Sequence, residues 1–341
     1  MKLARVFFIA AIAATLSLAP LTLSVAQTEK QKPQPKTGKP AEEEGKQQED
    51  QAVKLGTQLV TVPFNVTDKK NRYINDLAKD DVEILEDNKP QQVFSFERQT
   101  DLPITIAMLI DISGSQQWTL GDEISAGKAF FRKVLRPKKD LAAVVTFEHE
   151  SVLEQNLTSD IDKLIHALDG VRIPAETVTY QKGGTPPIND SNVGSTALYD
   201  SVYSVSSDLL RREAGRRVII LVTDGEDNSS SIKLRDAIER TWRSEIIVYS
   251  VGIGGPQGVD QGTLRKIAAE TGGRAFFPRT ARDLDEAYAQ IDEDLRSQYI
   301  LAYTPTNGSR DGSFRVIQVK VKTHADLTVR HRRGYFAPKE S

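Results

Sequence analysis

The 341-residue chain contains no cysteine, only four histidines and almost no excess of charge of either sign. Without cysteine there can be no disulfide, zinc finger, iron–sulfur cluster or thiol nucleophile. The four histidines are His149, His166, His324 and His331. No two of them have the spacing of a ligand pair on one helix, which argues against most zinc chemistry. The formal net charge of −2 gives no reason to expect a nucleic acid partner. Composition therefore excludes sulfur chemistry and argues against most imidazole chemistry before any motif is considered.

The N-terminus has the pattern of a secretory signal peptide. Lys2 and Arg5 precede an apolar run from Val6 to Leu18, and Ser24 and Ala26 are the small residues that signal peptidase recognises. We predict a signal peptide over 1–26, cleaved after Ala26, which takes the formal charge from −2 to −4. No later stretch approaches the roughly 20 apolar residues of a membrane span. The mature chain is thus predicted to be secreted or periplasmic, with an uncleaved membrane anchor as the alternative.

Next comes a polar segment, and then alternating patterns flank a central block. Residues 27–52 are rich in Lys, Gln, Glu and Pro, which predicts a disordered linker. Residues 53–100 and 299–338 alternate apolar and polar side chains, as half-buried strands do. Pro63, inside the first of these strands, favours an edge position. We predict that the two flanks pair into one small β-sandwich; separate β appendages, or strands added to the central sheet, are the alternatives.

The central block, residues 101–298, alternates apolar runs with amphipathic segments. The near-continuous apolar runs indicate strands that are buried on both faces of a mainly parallel sheet; they are Ile104–Ile110, Leu141–Phe147, Val218–Val222 and Ile246–Val251. Ser151–Leu157 closely follows the second run and favours an antiparallel edge strand. The predicted fold class is therefore α/β, a doubly wound, mainly parallel sheet with helices on both faces.

Side chains with oxygen ligands follow two of these strands. Asp111, Ser113 and Ser115 come after the first strand, Thr196 opens a helix, and Asp224 comes after the fourth strand. In the common strand order 3-2-1-4-5-6 the first and fourth strands are neighbours, so the two aspartates lie side by side at the carboxyl edge. Two carboxylates with small hydroxyls suit Mg²⁺ (or Mn²⁺), whereas Ca²⁺ usually takes more carboxylate oxygens. The alternative is that these residues only cap a helix and start a turn.

This pattern resembles the metal-ion-dependent adhesion site of von Willebrand factor A domains. The matching pieces are Asp111-x-Ser113-x-Ser115, the Gly-x-Thr that ends at Thr196, and Thr223-Asp224-Gly225. The resemblance implies that the serines and the threonine ligate the ion directly or nearly so, and that the aspartates often act through water. It also implies that an acidic side chain of a protein partner fills the open coordination position.

The flanking segments resemble those of secreted bacterial proteins that carry one such A domain. The similar stretches are Val66-Thr67-Asp68, the acidic run from Asp80 to Asp87, Gln92 to Phe96, and the ending Arg332 to Pro338. This likeness implies the architecture and a bacterial, acidobacterial-type origin more than any function.

A long polar segment from Arg172 to Ser195 precedes Thr196, and long loops beside a site often determine specificity. Its candidates for partner contact, with Glu226 after the last motif, are Tyr180, Lys182, Asn189, Asn192 and Glu226; a solvated loop is the alternative for each. For Trp118, just after the first motif, we favour a core anchor over an exposed contact, because Trp is mostly buried in proteins.

The predicted function is a secreted or envelope-associated adhesion module that binds a protein partner through its metal ion. The site has no evident nucleophile or base, so the protein is predicted not to be an enzyme. A metal-assisted hydrolase or phosphoryl-transfer enzyme is one alternative, although position 113 holds Ser where phosphatases usually have a second Asp. The other is an A-domain subunit of an ATP-driven assembly machine, which the signal peptide argues against.

Overall fold

The computed structural model describes residues 58–99, 101–174, 195–256, 258–322 and 326–340, which belong to one compact unit. The predicted signal peptide and linker lie outside these residues. The strands are β1 (Val60–Thr67), β2 (Val82–Glu86), β3 (Lys89–Gln91), β4 (Val93–Arg98), β5 (Ile104–Asp111), β6 (Leu141–Phe147), β7 (Ser151–Thr158), β8 (Arg216–Thr223), β9 (Ile246–Gly252), β10 (Ala275–Phe276), β11 (Tyr299–Tyr303), β12 (Phe314–Val321), β13 (Thr328–His331) and β14 (Gly334–Phe336). The helices are α1 (Leu120–Val134), α2 (Ile161–Gly170), α3 (Leu198–Ser204), α4 (Leu234–Arg243), α5 (Gln261–Thr271) and α6 (Ala281–Arg296). Of these helices, none is long and apolar enough to cross a membrane.

The central sheet has the strand order that is common in doubly wound folds. Its six strands run β10-β9-β8-β5-β6-β7, and all neighbours are parallel except β6 and β7. Counted from β5 as the first strand, this is the order 3-2-1-4-5-6, with β7 as the antiparallel edge. The predicted α/β fold class is confirmed.

Each face of this sheet is covered by helices because successive side chains of a strand point to opposite faces. Ile106, Met108 and Ile110 of β5 join one core with α1, α2 and α6. Ala107 and Leu109, which alternate with them, join a second core with α3, α4 and α5. The apolar run of β5 is thus explained by burial on both faces.

The flanking strands form two further sheets, ordered β13-β1-β11-β4 and β14-β12-β2-β3. Each sheet combines strands from both ends of the chain, and side chains of both sheets meet in a third core. The residue bounds proposed for these modules stay a prediction.

The expectation that Pro63 marks an edge strand is wrong for the sheet, because β1 lies between β11 and β13. The position of Pro63 inside β1 is explained by where the strand is paired. β1 pairs with β11 from Val60 to Phe64, whereas its pairing with β13 begins only at Phe64. At Pro63 the strand therefore has a neighbour on one side alone, so the missing N–H does not interrupt a second ladder.

Candidate metal centre

The first and last pieces of the motif meet where β5 and β8 end. The two strands are in register, with Ile110 opposite Val222. The hydroxyl of Thr223 donates to Oδ2 of Asp111 at 2.6 Å, which brings Asp224, the next residue, to the same edge. Asp111 is the last residue of β5 and Asp224 follows β8, so the two aspartates lie at the ends of neighbouring strands.

The loop after β5 turns its two serines toward each other. The backbone N–H of Ser113 donates to Oδ1 of Asp111 at 2.8 Å, which closes a tight turn at the strand end. The hydroxyl oxygens of Ser113 and Ser115 are 3.1 Å apart. Asp111 and Ser113 are buried, and Ser115 is half-buried. The turn thus places three oxygen-bearing side chains together.

Thr196 is held between the end of β6 and the loop that follows β8. The N–H of Ala197 donates to the carbonyl of Glu148 at 2.7 Å. The N–H of Thr196 donates to Oδ1 of Asn228 at 2.6 Å, and its carbonyl accepts the N–H of Asn228 at 3.0 Å. The buried Thr196 is therefore fixed to the same loop as Asp224, although 28 residues separate the two in sequence.

A glycine lets the chain turn sharply after Asp224. Gly225 has φ +87°, and a Cβ there would lie 2.9 Å from Cγ of Leu264 and 3.0 Å from the carbonyl oxygen of Asp260. Both the left-handed backbone and the close approach of α5 require glycine. The turn leaves Oδ1 of Asp224 accepting the N–H of Glu226 at 3.1 Å.

The electrostatics of the edge favour a bound cation. Burial raises the pKa of Asp111 to about 7, and the negative charge of Asp224 raises it further. The hydrogen bonds from Ser113 and Thr223 act in the opposite direction and lower it. Two buried carboxylates this close are costly without a counter-charge. In the described part of the chain no three His, Cys, Asp or Glu side chains cluster. Two carboxylates with three hydroxyls are an all-oxygen donor set, which fits a small, hard divalent cation.

A third carboxyl, which the sequence pattern does not predict to be buried, lies near this edge. Glu123 of α1 is 2% exposed, and neither of its carboxylate oxygens has a hydrogen-bond partner among the described residues. Burial raises its pKa to about 8. The nearby hydroxyl of Thr119 lowers the pKa in part, and the charges of Asp111 and Asp224 raise it further. Its charge in turn adds to the burial that raises the pKa of Tyr288 on α6. An acidic residue in the first turn of a helix is ordinarily a solvated partner of the helix dipole, so the sequence carries no signal for this burial.

The expectation that Trp118 is a core anchor is wrong, since its side chain is 69% exposed. The 3₁₀ turn Gly114–Trp118 ends before α1 begins at Leu120, so Trp118 lies outside the buried stripe of that helix. Sequence periodicity could not separate the turn from the helix. An exposed indole thus stands three residues after Ser115.

The remaining candidates for partner contact divide into two groups. Tyr180, Lys182, Asn189 and Asn192 lie outside the described residues. Glu226 is exposed beside Asp224. Asp227, which follows it, instead accepts the N–H of Tyr199 at 3.1 Å at the start of α3.

Comparison with known proteins gives one family match and several structural likenesses. The family model of the von Willebrand factor type A domain matches residues 105–290. A von Willebrand factor type A protein from Catenulispora acidiphila shares 14% identity over 84% of this chain and 75% of its own, with a TM-score of 0.48. BatB, a conserved hypothetical protein from Bacteroides thetaiotaomicron, shares 16% identity over 56% of this chain and 97% of its own, with a TM-score of 0.43. Proximal thread matrix protein 1 from the mussel byssus, solved with a zinc-occupied MIDAS motif, shares 20% identity over 62% of this chain and 50% of its own, with a TM-score of 0.45. No curated protein matches the chain.

Proposed function

The chain belongs to the von Willebrand factor type A family, and from this premise we propose that it binds a protein partner through a divalent cation. The cation would lie at the carboxyl edge of the central sheet. The proposed ligands, directly or through water, are Asp111, Ser113, Ser115, Thr196 and Asp224. A site of this kind makes the protein a binding or adhesion module rather than an enzyme.

The observation that carries the proposal is the burial of Asp111 beside Asp224, with no ion pair to a cationic side chain among the residues that the structure describes. Asp111 is fully buried, and its two oxygens accept from the hydroxyl of Thr223 and the N–H of Ser113. These bonds orient the carboxylate but do not neutralise it. A divalent cation would supply the missing charge, so we propose Mg²⁺ (or Mn²⁺) as the resident ion.

The bound ion would supply a Lewis-acidic position for an acidic side chain of the partner. This chain's own residues set what can approach that position. Trp118 offers an exposed aromatic ring on the same turn as Ser115, and such rings are frequent anchors of protein interfaces. Glu226 adds negative charge beside Asp224 and would repel an acidic side chain of the partner that approaches without binding the cation. We propose these two residues as contacts that favour one geometry of approach.

We also propose that the protein acts outside the cytoplasm, as a secreted or envelope-associated module. The support is the sequence pattern of residues 1–26, with its basic start, apolar run and small residues before position 27. Mass spectrometry of the N-terminus of the mature protein tests this: cleavage after Ala26 supports export, and an intact Met1 in the cytoplasmic fraction contradicts it.

Partner capture from the native envelope tests the binding function. Immobilised full-length protein is incubated with envelope extract in Mg²⁺ or in EDTA, and bound proteins are identified by mass spectrometry. We expect a partner that is retained in Mg²⁺ and released by EDTA. Asp111→Ala should lose it, whereas Asp285→Asn, on the exposed side of α6, should keep it. Retention of the same partner in EDTA, or by folded Asp111→Ala, contradicts the proposal.

A further inference from the structure

A cavity of about 600 Å³ lies at the opposite, amino end of the central sheet. It is formed by α4 and the starts of β8 and β9 on one side, and by β14 with the residues after it on the other. Its lining has six cationic side chains against two carboxylates. The cations are Arg211, Arg217, Arg240, Arg243, Arg332 and Lys339. We call this space the arginine cavity.

The two carboxylates of the arginine cavity are already engaged. Glu245 is shared by two arginines, at 2.9 Å from Arg217 and 3.0 Å from Arg332. Asp311 is paired with Arg315, which lies outside the lining, at 3.1 Å. Neither carboxylate is left to neutralise the other cations.

Three of the remaining cations have no carboxylate partner. In the part of the chain that the structure describes, Arg211, Arg240 and Lys339 form no ion pair, although the guanidinium of Arg240 lies 5.5 Å from the ring centre of Tyr203. Arg243 is paired with Glu239 at 2.7 Å. The cavity therefore keeps an excess of positive charge after every local ion pair is counted.

Buried guanidinium groups make this excess unusual for a protein surface. Arg332 is 6% exposed, and its Nε has no hydrogen-bond acceptor among the described residues. The Nε atoms of Arg217 and Arg240 are likewise buried and without an acceptor there. An arginine presents five N–H donors and cannot lose its charge, so a shortage of acceptors cannot be relieved by deprotonation.

The aromatic residues of the cavity restrict what the ligand can be. The indole N–H of Trp242 donates to the carbonyl of Glu270 at 2.7 Å, and its ring stacks on Phe314 at 4.5 Å. The hydroxyl of Tyr335 donates to Glu86 at 2.9 Å. These polar atoms are already bonded within the protein, which leaves the cationic side chains to recognise a ligand.

We propose that the arginine cavity binds a small multivalent phosphate anion. Guanidinium groups match phosphate oxygens in two-pronged geometry, and four more cations than carboxylates line the space. The cavity volume is in the range of small-ligand sites. Because Arg240 belongs to the α/β domain and Arg332 to the C-terminal flank, a bound anion would link these two parts of the fold.

Calorimetry on the purified full-length protein tests the proposal with inorganic pyrophosphate and tripolyphosphate as the probes. Titrations are made without divalent cations, since these phosphates chelate them, and at fixed ionic strength. Arg240→Gln and Arg211→Gln should each weaken binding roughly tenfold through loss of charge-assisted hydrogen bonds. Arg282→Gln, whose side chain is 87% exposed on α6, is the matched control and should bind as the wild type does.

Three results support the site and three overturn it. Support comes from saturable pyrophosphate binding, its persistence in Asp111→Ala, and its roughly tenfold weakening in each of the two arginine variants. The proposal is overturned if neither phosphate binds at millimolar concentration, or if Arg282→Gln weakens binding as much as Arg240→Gln. Equal affinity for sulfate or citrate would also overturn it, because binding would then reflect charge alone.

Discussion

The two ends of the central sheet carry opposite charge, and one strand reaches both. β8 begins at Arg216 and Arg217 beside the arginine cavity and ends at Thr223, next to Asp224. Between them its side chains are buried and apolar from Val218 to Val222. Among the described residues, the carboxyl end gathers carboxylates that form no ion pair, and the amino end gathers more cations than carboxylates. The proposed counter-ions have the opposite sign at each end, a divalent cation in one case and a phosphate in the other.

The largest expected effect concerns Glu123, the buried carboxyl near the acidic end. Its pKa is raised from 4.5 to about 8 in the folded protein. A raised pKa means that its contribution to stability is complete below pH 4.5 and is lost as the pH rises through 8. Glu123→Gln removes this titration. In EDTA, the free energy of unfolding of the variant should therefore exceed that of the wild type by up to about 5 kcal/mol more at pH 9 than at low pH. Urea unfolding at pH 5, 7 and 9 measures the gain.

If the difference in free energy of unfolding between the wild type and Glu123→Gln stays constant from pH 5 to pH 9, the result contradicts the burial of that carboxyl. The charges of Asp111 and Asp224 oppose the ionisation of Glu123. Mg²⁺ at the proposed site should offset these charges and so reduce the pH dependence of the wild type's free energy of unfolding. The same experiment thereby tests the proposed cation at the carboxyl end.

Gly225→Ala tests the turn that presents Asp224. The left-handed φ and the 2.9 Å approach to Leu264 should make the variant about 3 kcal/mol less stable in EDTA. Gly121→Ala is the matched control, because a Cβ there meets nothing within 4 Å and the residue lies in α1. That control should be neutral or up to about 1 kcal/mol more stable. Equal unfolding midpoints for the two variants would show that the turn tolerates a side chain.

Glu245→Gln tests the basic end in the opposite direction. Removing the carboxylate that Arg217 and Arg332 share should cost about 1 kcal/mol, because Glu245 is itself half exposed. The same change leaves both arginines with more unused charge, so pyrophosphate should bind severalfold more tightly. Loss of stability combined with weaker pyrophosphate binding would contradict the charge account of the cavity.

The smallest effect on stability is expected from Trp118→Ala. The indole is 69% exposed, so the free energy of unfolding should change by less than about 0.5 kcal/mol. Its effect should instead appear in Mg²⁺-dependent partner capture, which should fall. A variant that captures the partner as well as the wild type would remove Trp118 from the proposed contact surface.

The sequence predicted those features that depend on local pattern and known spacing. The continuous apolar runs predicted where the central strands lie, and the common order of doubly wound sheets placed the first strand beside the fourth. The hydrogen bond from Thr223 to Asp111 joins the ends of these two neighbouring strands. The helix α4 is absent from the sequence predictions although its pattern carries the signal. Leu234, Ala237, Ile238 and Trp242 follow the i, i+3, i+4, i+8 spacing of one helix face, between charged residues that cover the other face.

The features that escaped prediction depend on contacts between distant residues. Glu123 is buried only because the strands and α1 close over it, and nothing at neighbouring positions signals this. The arginine cavity joins Arg211 and Arg240 to Arg332, which are far apart in the sequence. Trp118 was misplaced because a 3₁₀ turn shifts it off the face that a continuous helix would bury.

The most direct test of the central claim is calorimetric titration of Mg²⁺ into the full-length, metal-free protein. We predict one saturable site in the wild type and no binding by Asp111→Ala. The circular dichroism spectrum of the variant, which should match that of the wild type, shows that the variant is folded. At 100 times the dissociation constant, Mg²⁺ should also raise the free energy of unfolding of the wild type by about 2.7 kcal/mol. Equal Mg²⁺ affinity in the wild type and Asp111→Ala, or no binding by either, would contradict a cation site at the carboxyl edge.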